Sequence, residues 1–303
     1  MERSAEHLGI LAAVSAGVIW GLLGLFVRGL DEMGVTPMQM TCMRYIIVTV
    51  ILVVYIVVKD RTLFKTDLNC FTLFLIMGIV GTILNSVCYF ASMSMISLSL
   101  AAVLQYIAPF VVILLSVPIL QERMTRTKIL AVTLAFIGCV LCTGVLTAPG
   151  EMDVMGVLLG AFSGVCFAIY TIGSKVAYSK GCTVTTVLFY SSIICCIGLA
   201  PFCDLPSAIS LTVSDTTILA LIIGTGIFVT LLPFVLFNYS LKKIEAGKAS
   251  IITYVEPLAA TVVGFIVYDE GISIISVIGM MLIFAGLVII NRRNSGTEAS
   301  LQD

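Results

Sequence analysis

Glu256 and Arg44 place a full charge well inside long apolar runs, SIITYVEPLAATVV for the first and QMTCMRYIIV for the second. A carboxylate in a hydrocarbon environment is costly unless it is paired, protonated or hydrated. Glu256 follows Lys248 by eight residues, about 12 Å along a helix. It is therefore read as a group that takes up and releases a proton or meets a substrate's positive group. A structural carboxylate held by Tyr, Thr or a free carbonyl is the alternative. Arg44, about 10 Å in from the outer end of its run, carries the planar fork that clamps a carboxylate. It is expected to grip an anionic substrate group or to act as counter-charge to Glu256, with snorkelling toward the headgroups as the competing reading.

Two mid-run prolines, Pro109 and Pro257, lack an N–H and so release the carbonyls four residues earlier, those of Gln105 and Thr253. Freed carbonyls deep in a bilayer need a cavity, a water or a protein partner. Both prolines are thus expected to break helices that face a central site, the alternative being a packing kink. Trp20, Asn85, Gln105, Tyr106, Tyr170 and Tyr254 supply aromatic and amide groups at mid-run depth, suited to shaping a moderately polar cavity for a small solute; each alone could equally be a helix–helix contact. Arg28 and Lys175 lie nearer run ends, where snorkelling is the better reading. Glu122 and Glu270 close two runs and are read as helix-end or gate contacts.

Positioning these groups requires membrane helices. The 303-residue chain is 60% hydrophobic and 11% charged with mean hydropathy +1.16, too apolar to cover a soluble globule of that size. Apolar runs of the length a roughly 30 Å hydrocarbon layer demands follow one another at 8–30, 38–58, 70–93, 98–120, 129–146, 156–178, 184–202, 216–241, 250–268 and 274–290. The fold class is an all-α polytopic membrane protein of ten transmembrane helices. The third and fourth runs, linked by SMISLS, read as one hydrophobic hairpin. Residues 1–7 lack the basic region of a signal peptide, so the first run is expected to stay in the mature protein.

Lys and Arg concentrate in alternate loops, at 59–65, 123–128, 175–180, 242–248 and 292–293, whereas the other loops carry Asp31, Glu32, Glu151, Asp153, Asp204, Asp215, Asp269 and Glu270. Cationic loops resist translocation. A multi-pass protein of the cell membrane with both termini cytoplasmic is expected.

The second half repeats the first at an offset of 147, then 148. Gly17 meets Gly164, Arg28 meets Lys175, Gly78 meets Gly226, Tyr106 meets Tyr254, Pro109 meets Pro257, Glu122 meets Glu270 and Gly138 meets Gly286. Raw identity proves little in so apolar a chain; the recurrence of mid-run proline, packing glycine and run-end glutamate in register is what persuades. Five runs per repeat, an odd number, invert the second copy, the architecture of secondary transporters. The repeats are read as residues 1–150 and 151–290, followed by a cytoplasmic tail, 291–303.

GVIWG at 17–21, Met43-Arg44-Tyr45, YIAPF at 106–110 with Glu122-Arg123 downstream, and YVEPLAATVVGFIVYDE followed by GMMLIFAG together resemble the EamA-type exporters of the drug/metabolite transporter superfamily, over residues 8–290. Tyr268-Asp269 stands where that family tends to have Leu-Gly. The resemblance implies export of amino acids or related small amphiphilic metabolites by alternating access. No Walker A sequence occurs, so proton or solute exchange is the expected drive. Efflux of cationic drugs is the alternative within the same class. An integral-membrane enzyme is disfavoured because such enzymes gather His, Asp or Glu near the membrane face, and the sole His7 lies in the N-terminal segment. The ten cysteines suggest neither a disulfide framework nor a metal cage, and no cofactor is expected. Expected partners are a small-molecule substrate and the lipid bilayer, with a homodimer allowed and nucleic acid excluded by the absence of a basic stripe.

Overall fold

The computed structural model describes residues 2–146, 153–269, 271 and 273–291; Glu270, Glu151 and the tail from 292 lie outside them. Ten apolar helices follow in order: α1 (Ser4–Asp31), α2 (Pro37–Lys59), α3 (Leu68–Met95), α4 (Leu98–Leu120), α5 (Arg126–Cys142), α6 (Val154–Ser179), α7 (Val184–Phe202), α8 (Thr216–Lys243), α9 (Ala246–Tyr268) and α10 (Ile274–Asn291). Nine of them have 18 residues or more and the apolarity to cross a bilayer. The tenth, α5, has 17 residues, about 26 Å of helix.

Short polar side chains set where the spans begin. The hydroxyls or carboxylates of Thr36, Asp67, Ser97, Thr125, Asp153, Thr183 and Asp215 each accept a bond from a backbone N–H of the first turn, satisfying donors that a helix start leaves orphaned. At Thr36 the cap is reciprocal, with Gln39 reaching back to the Thr36 N–H at 3.0 Å. Only Ile96 and Ser97 separate α3 from α4, which form a tight hairpin. Between the runs at 184–202 and 216–241, where the sequence predicts a connecting loop, Leu205–Ser214 is a short helix lying against α2 and the start of α8.

The helices interlock by exchange between repeats. The first helix of each half packs on the third and fourth of the other: α1 on α8 and α9, α6 on α3 and α4. Two further pairs, α2 with α7 and α5 with α10, complete the two-fold arrangement. The glycines record it. A methyl group on Gly17 would lie 3.2 Å from the Thr253 carbonyl oxygen, and one on Gly164 would lie 2.8 Å from that of Gln105. Each therefore admits the other repeat's helix at backbone distance, at the very carbonyls the two prolines release. Gly78 likewise meets Ile194 while Gly226 meets Ile47, the same contact seen from the other half.

Two irregularities recur in register. α3 loosens into a π-helical stretch at Ile79–Leu84 and α8 into one at Thr225–Leu231. Thr82 donates to the Met77 carbonyl and Thr230 to that of Thr225, both at 3.0 Å. Wide turns of this kind concentrate at functional sites. Within α5, Cys139 and Cys142 stand in Cys-x-x-Cys spacing as buried free thiols.

Candidate functional site

Both broken helices form where the prolines predict. α4 is interrupted between Gln105 and Ala108, and α9 between Ile252 and Val255. The breaks meet at the centre of the bundle, where the Tyr106 and Tyr254 rings stand 5.9 Å apart.

Between α1, α2, α3, α4, α6, α8 and α9 lies a cavity of about 420 Å³, within the size range of small-molecule sites. Trp20, Arg44, Asn85, Gln105, Tyr106, Tyr170, Glu256 and Pro109 all line it. Tyr254 and Pro257 do not. Tyr254 is 1% exposed and its hydroxyl donates to the Tyr106 carbonyl at 2.6 Å, so it braces the opposite break instead of meeting the cavity. Pro257 is buried against its neighbours in the first turn after the break.

Glu256 and Arg44 share the cavity without pairing: no ion pair joins them. The expectation of a mutual counter-charge is corrected by where each is held. Arg44 lies beside Tyr45 and Cys195 on the α2–α7 side, and its Nε is buried with no hydrogen-bond partner. The Glu256 carboxyl lies near the Tyr106 phenol, with Tyr89 and Cys139 nearby. A buried guanidinium nitrogen left unsatisfied is costly, and an incoming anion would complete it.

The aromatic frame is itself two-fold. Trp20 and its repeat counterpart Phe167 face each other at 6.2 Å, and Trp20 also meets Phe234 and Phe237 at 5.4 and 5.5 Å. Arg44 and Glu256 have no charged counterparts: that of Arg44 is Ser191 and that of Glu256 is Ala108. The scaffold is thus duplicated, whereas Arg44 and Glu256 each occur in one repeat only.

Asn85 donates to the Ser163 carbonyl at 2.7 Å, tying α3 to α6. Asn238, which sequence reasoning passed over, is fully buried and links three groups. It donates to the Tyr170 hydroxyl at 2.9 Å and to the Phe234 carbonyl, and accepts from Tyr178 at 2.6 Å. An amide inside the apolar run LPFVLFNYSL was the available signal. Tyr89 was missed too, because its run holds serines and a cysteine that blur its depth.

The cavity reaches the end of the bundle where Arg28, Pro37, Met93, Leu98 and Tyr268 lie. At the opposite end the two repeats are tied together by polar contacts. Glu245, the residue before α9, makes no cap of its own; the carboxylate of Glu122 from the other repeat accepts the Ala246 N–H at 2.5 Å and the Gly247 N–H at 3.2 Å, a favourable place for a negative charge. Lys128, 4% exposed, sits 3.5 Å from Glu122 and 3.0 Å from Glu245. Lys175 donates to the Leu241 and Ile244 carbonyls at 2.5 and 2.7 Å, so it is held by protein acceptors instead of snorkelling. Glu122 thus makes a helix-end contact at the start of α9; Glu270, read in the same way, lies outside the described residues.

The description of the EamA-like transporter family matches the chain twice, at residues 7–144 and 154–292. The chain belongs to the EamA-like transporter family. Its membership carries an inverted-repeat helical fold, in accord with the exchanged packing. Two Archaeoglobus fulgidus proteins, each called an uncharacterized transporter, are 31% identical over 283 residues (93% of this chain, 95% of theirs) and 29% identical over 258 residues (85% and 90%). The uncharacterized transporter YyaM of Bacillus subtilis is 24% identical over 221 residues, 71% of each chain. A solved crystal structure superposes with a TM-score of 0.76 at 16% identity, covering 93% of this chain and 96% of that one, which speaks for the fold alone. This EamA-like chain is a multi-pass membrane protein of the transporter class.

Proposed function

We propose that this protein is a secondary transporter that exports small amphiphilic metabolites bearing both a carboxylate and an ammonium group, amino acids foremost, by alternating access coupled to a proton. One observation carries the reading: a buried, unsatisfied Arg44 Nε and a separate Glu256 carboxyl face one aromatic-lined cavity. A zwitterion answers both groups at once, its carboxylate on Arg44 and its ammonium near Glu256, while Trp20, Tyr89 and Phe90 receive an apolar side chain. Because the counterpart of Glu256 is alanine, a single proton site serves both directions of the cycle. Two five-helix halves rock about the cavity, within the cell membrane and with both termini on the cytoplasmic side, the side of the Lys- and Arg-rich loops.

Purified protein in detergent, screened for thermal stabilisation over a library of amino acids and their single-charge analogues, tests the reading. A ligand at about 100 times its Kd stabilises by about 2.7 kcal/mol. Stabilisation by zwitterions and not by their amides or by organic cations is expected; stabilisation by organic cations alone would point to drug efflux.

A further inference from the structure

We propose that Cys70 and Cys182 are a redox-active thiol pair, which exchanges with a small-molecule disulfide of the glutathione type and closes into a bond tying the start of α3 to the turn between α6 and α7. The chemistry is independent of what the protein transports and in which direction. The Cys182 thiol donates to the Cys70 sulfur at 3.2 Å, and a disulfide needs the two sulfurs to close to about 2.05 Å. Both residues are fixed through their backbones. The Cys70 N–H donates at 3.2 Å to the Asp67 carboxylate that caps α3. Cys182 follows Gly181, whose φ of +86° is a conformation glycine adopts without strain, and its own N–H donates to the Ala177 carbonyl at 3.0 Å.

The other repeat builds the same corner without sulfur. Gly34 has φ +80° and the Val35 N–H donates to the Leu30 carbonyl at 3.0 Å, so Val35 stands where Cys182 stands. Ile218, three residues after the capping Asp215, stands where Cys70 stands. Val35 and Ile218 share one buried apolar cluster with Leu30, Met40 and Ile222, and their counterparts Ala177, Val187 and Phe74 share one with Cys70, against which Cys182 packs. The corner therefore needs only an apolar filler, a part that buried cysteine can also play. What the two sulfurs add is reactivity. Cys70 is buried and Cys182 half-buried, so a reagent meets Cys182 first. The Cys182 sulfur attacks one sulfur of the small disulfide; that S–S bond breaks, and the first glutathione leaves as a thiol carrying the Cys182 proton. The Cys70 sulfur then attacks the Cys182 sulfur, breaking the mixed disulfide, and the second glutathione leaves with the Cys70 proton. Two protein thiols are oxidised and one small disulfide is reduced to two thiols. The pair lies at the end of the bundle that carries the Lys- and Arg-rich loops. On the cytoplasmic side proposed above it is reduced at rest and closes when small disulfides accumulate.

The test uses the full chain purified in detergent and needs no transported substrate. The protein is equilibrated with reduced and oxidised glutathione at a series of ratios, its remaining thiols are alkylated, and the digest is read by mass spectrometry without reduction. A peptide linked through Cys70 and Cys182 should appear as oxidised glutathione increases and disappear when reduced glutathione is restored. Because the bond closes a loop of more than a hundred residues, the melting temperature should rise by roughly 5 °C on oxidation. Cys70→Ile together with Cys182→Val, the apolar pair of the other repeat, should melt at the same temperature under both conditions. Cys70→Ile alone should keep glutathione on Cys182, because no second sulfur is there to expel it. Absence of the linked peptide at the most oxidising ratio, or glutathione retained on Cys182 of the unsubstituted protein, overturns the pair and leaves both cysteines as filler. A melting shift as large in the double variant as in the parent would assign the shift to other thiols and overturn the tie.

Discussion

The Tyr254 hydroxyl bonds the Tyr106 carbonyl at 2.6 Å, joining the same position of the two repeats across the point where both broken helices meet. The bond is one-sided: the Tyr106 phenol lies instead near the Glu256 carboxyl. Tyr254→Phe leaves the Tyr106 carbonyl with one partner fewer and should cost about 1–2 kcal/mol of stability, read as a lower melting temperature in detergent with substrate affinity little changed. Tyr106→Phe should do the opposite, altering the pH dependence of transport more than the melting temperature. Equal effects of the two substitutions on both readouts would deny the asymmetry.

Arg44→Gln removes the guanidinium whose Nε is buried without a partner. A charge-assisted bond is worth about 1.5–3 kcal/mol, so KM for an amino acid should rise about tenfold or more. The discriminating comparison uses the amino acid and its carboxamide: wild type should prefer the carboxylate, and Arg44→Gln should accept both equally poorly. A variant that still prefers the carboxylate places the anion elsewhere.

Pro257→Ala restores an N–H able to bond the Thr253 carbonyl, which lies at the α9 break against Gly17. Straightening α9 would push backbone toward α1. Turnover is expected to fall severalfold with expression retained, measured as initial uptake into proteoliposomes. Undiminished turnover reduces the break to a packing feature.

Single cysteines at Lys65 and Thr127 should be protected from an impermeant thiol reagent in intact cells, and ones at Thr36 and Ser273 labelled, because the Lys- and Arg-rich loops stay on the cytoplasmic side. The reverse pattern inverts the orientation, and a mixed one breaks the alternation of spans.

Hydropathy alone made the spans legible, with α4 and α7 bounded to the residue and α9 begun four residues late at Ser250, because Ala246 and Gly247 owe their helical start to Glu122 on another span. The breaks at Pro109 and Pro257 were legible because a missing N–H is a local fact. Partnership was not. That Tyr254 faces Tyr106 and not the cavity, that Arg44 and Glu256 stand apart, and that Lys175 grips carbonyls all depend on how α1 and α6 exchange between repeats, which no run of ten residues encodes. Asn238 and the π-helical turns at Thr82 and Thr230 escaped for the same reason: their partners fix their meaning.

Glu256→Gln tests the central claim most directly, because it keeps the size and hydrogen-bonding capacity of the side chain in the cavity and removes only its titration. In proteoliposomes carrying a pH gradient, the account predicts that the variant loses gradient-driven accumulation of an amino acid while still exchanging labelled for unlabelled amino acid across the membrane, at a raised KM because the ammonium loses its carboxylate. Loss of binding and exchange together would assign Glu256 to the substrate's ammonium group alone. Accumulation with wild-type pH dependence would contradict the account, leaving Glu256 a structural carboxylate.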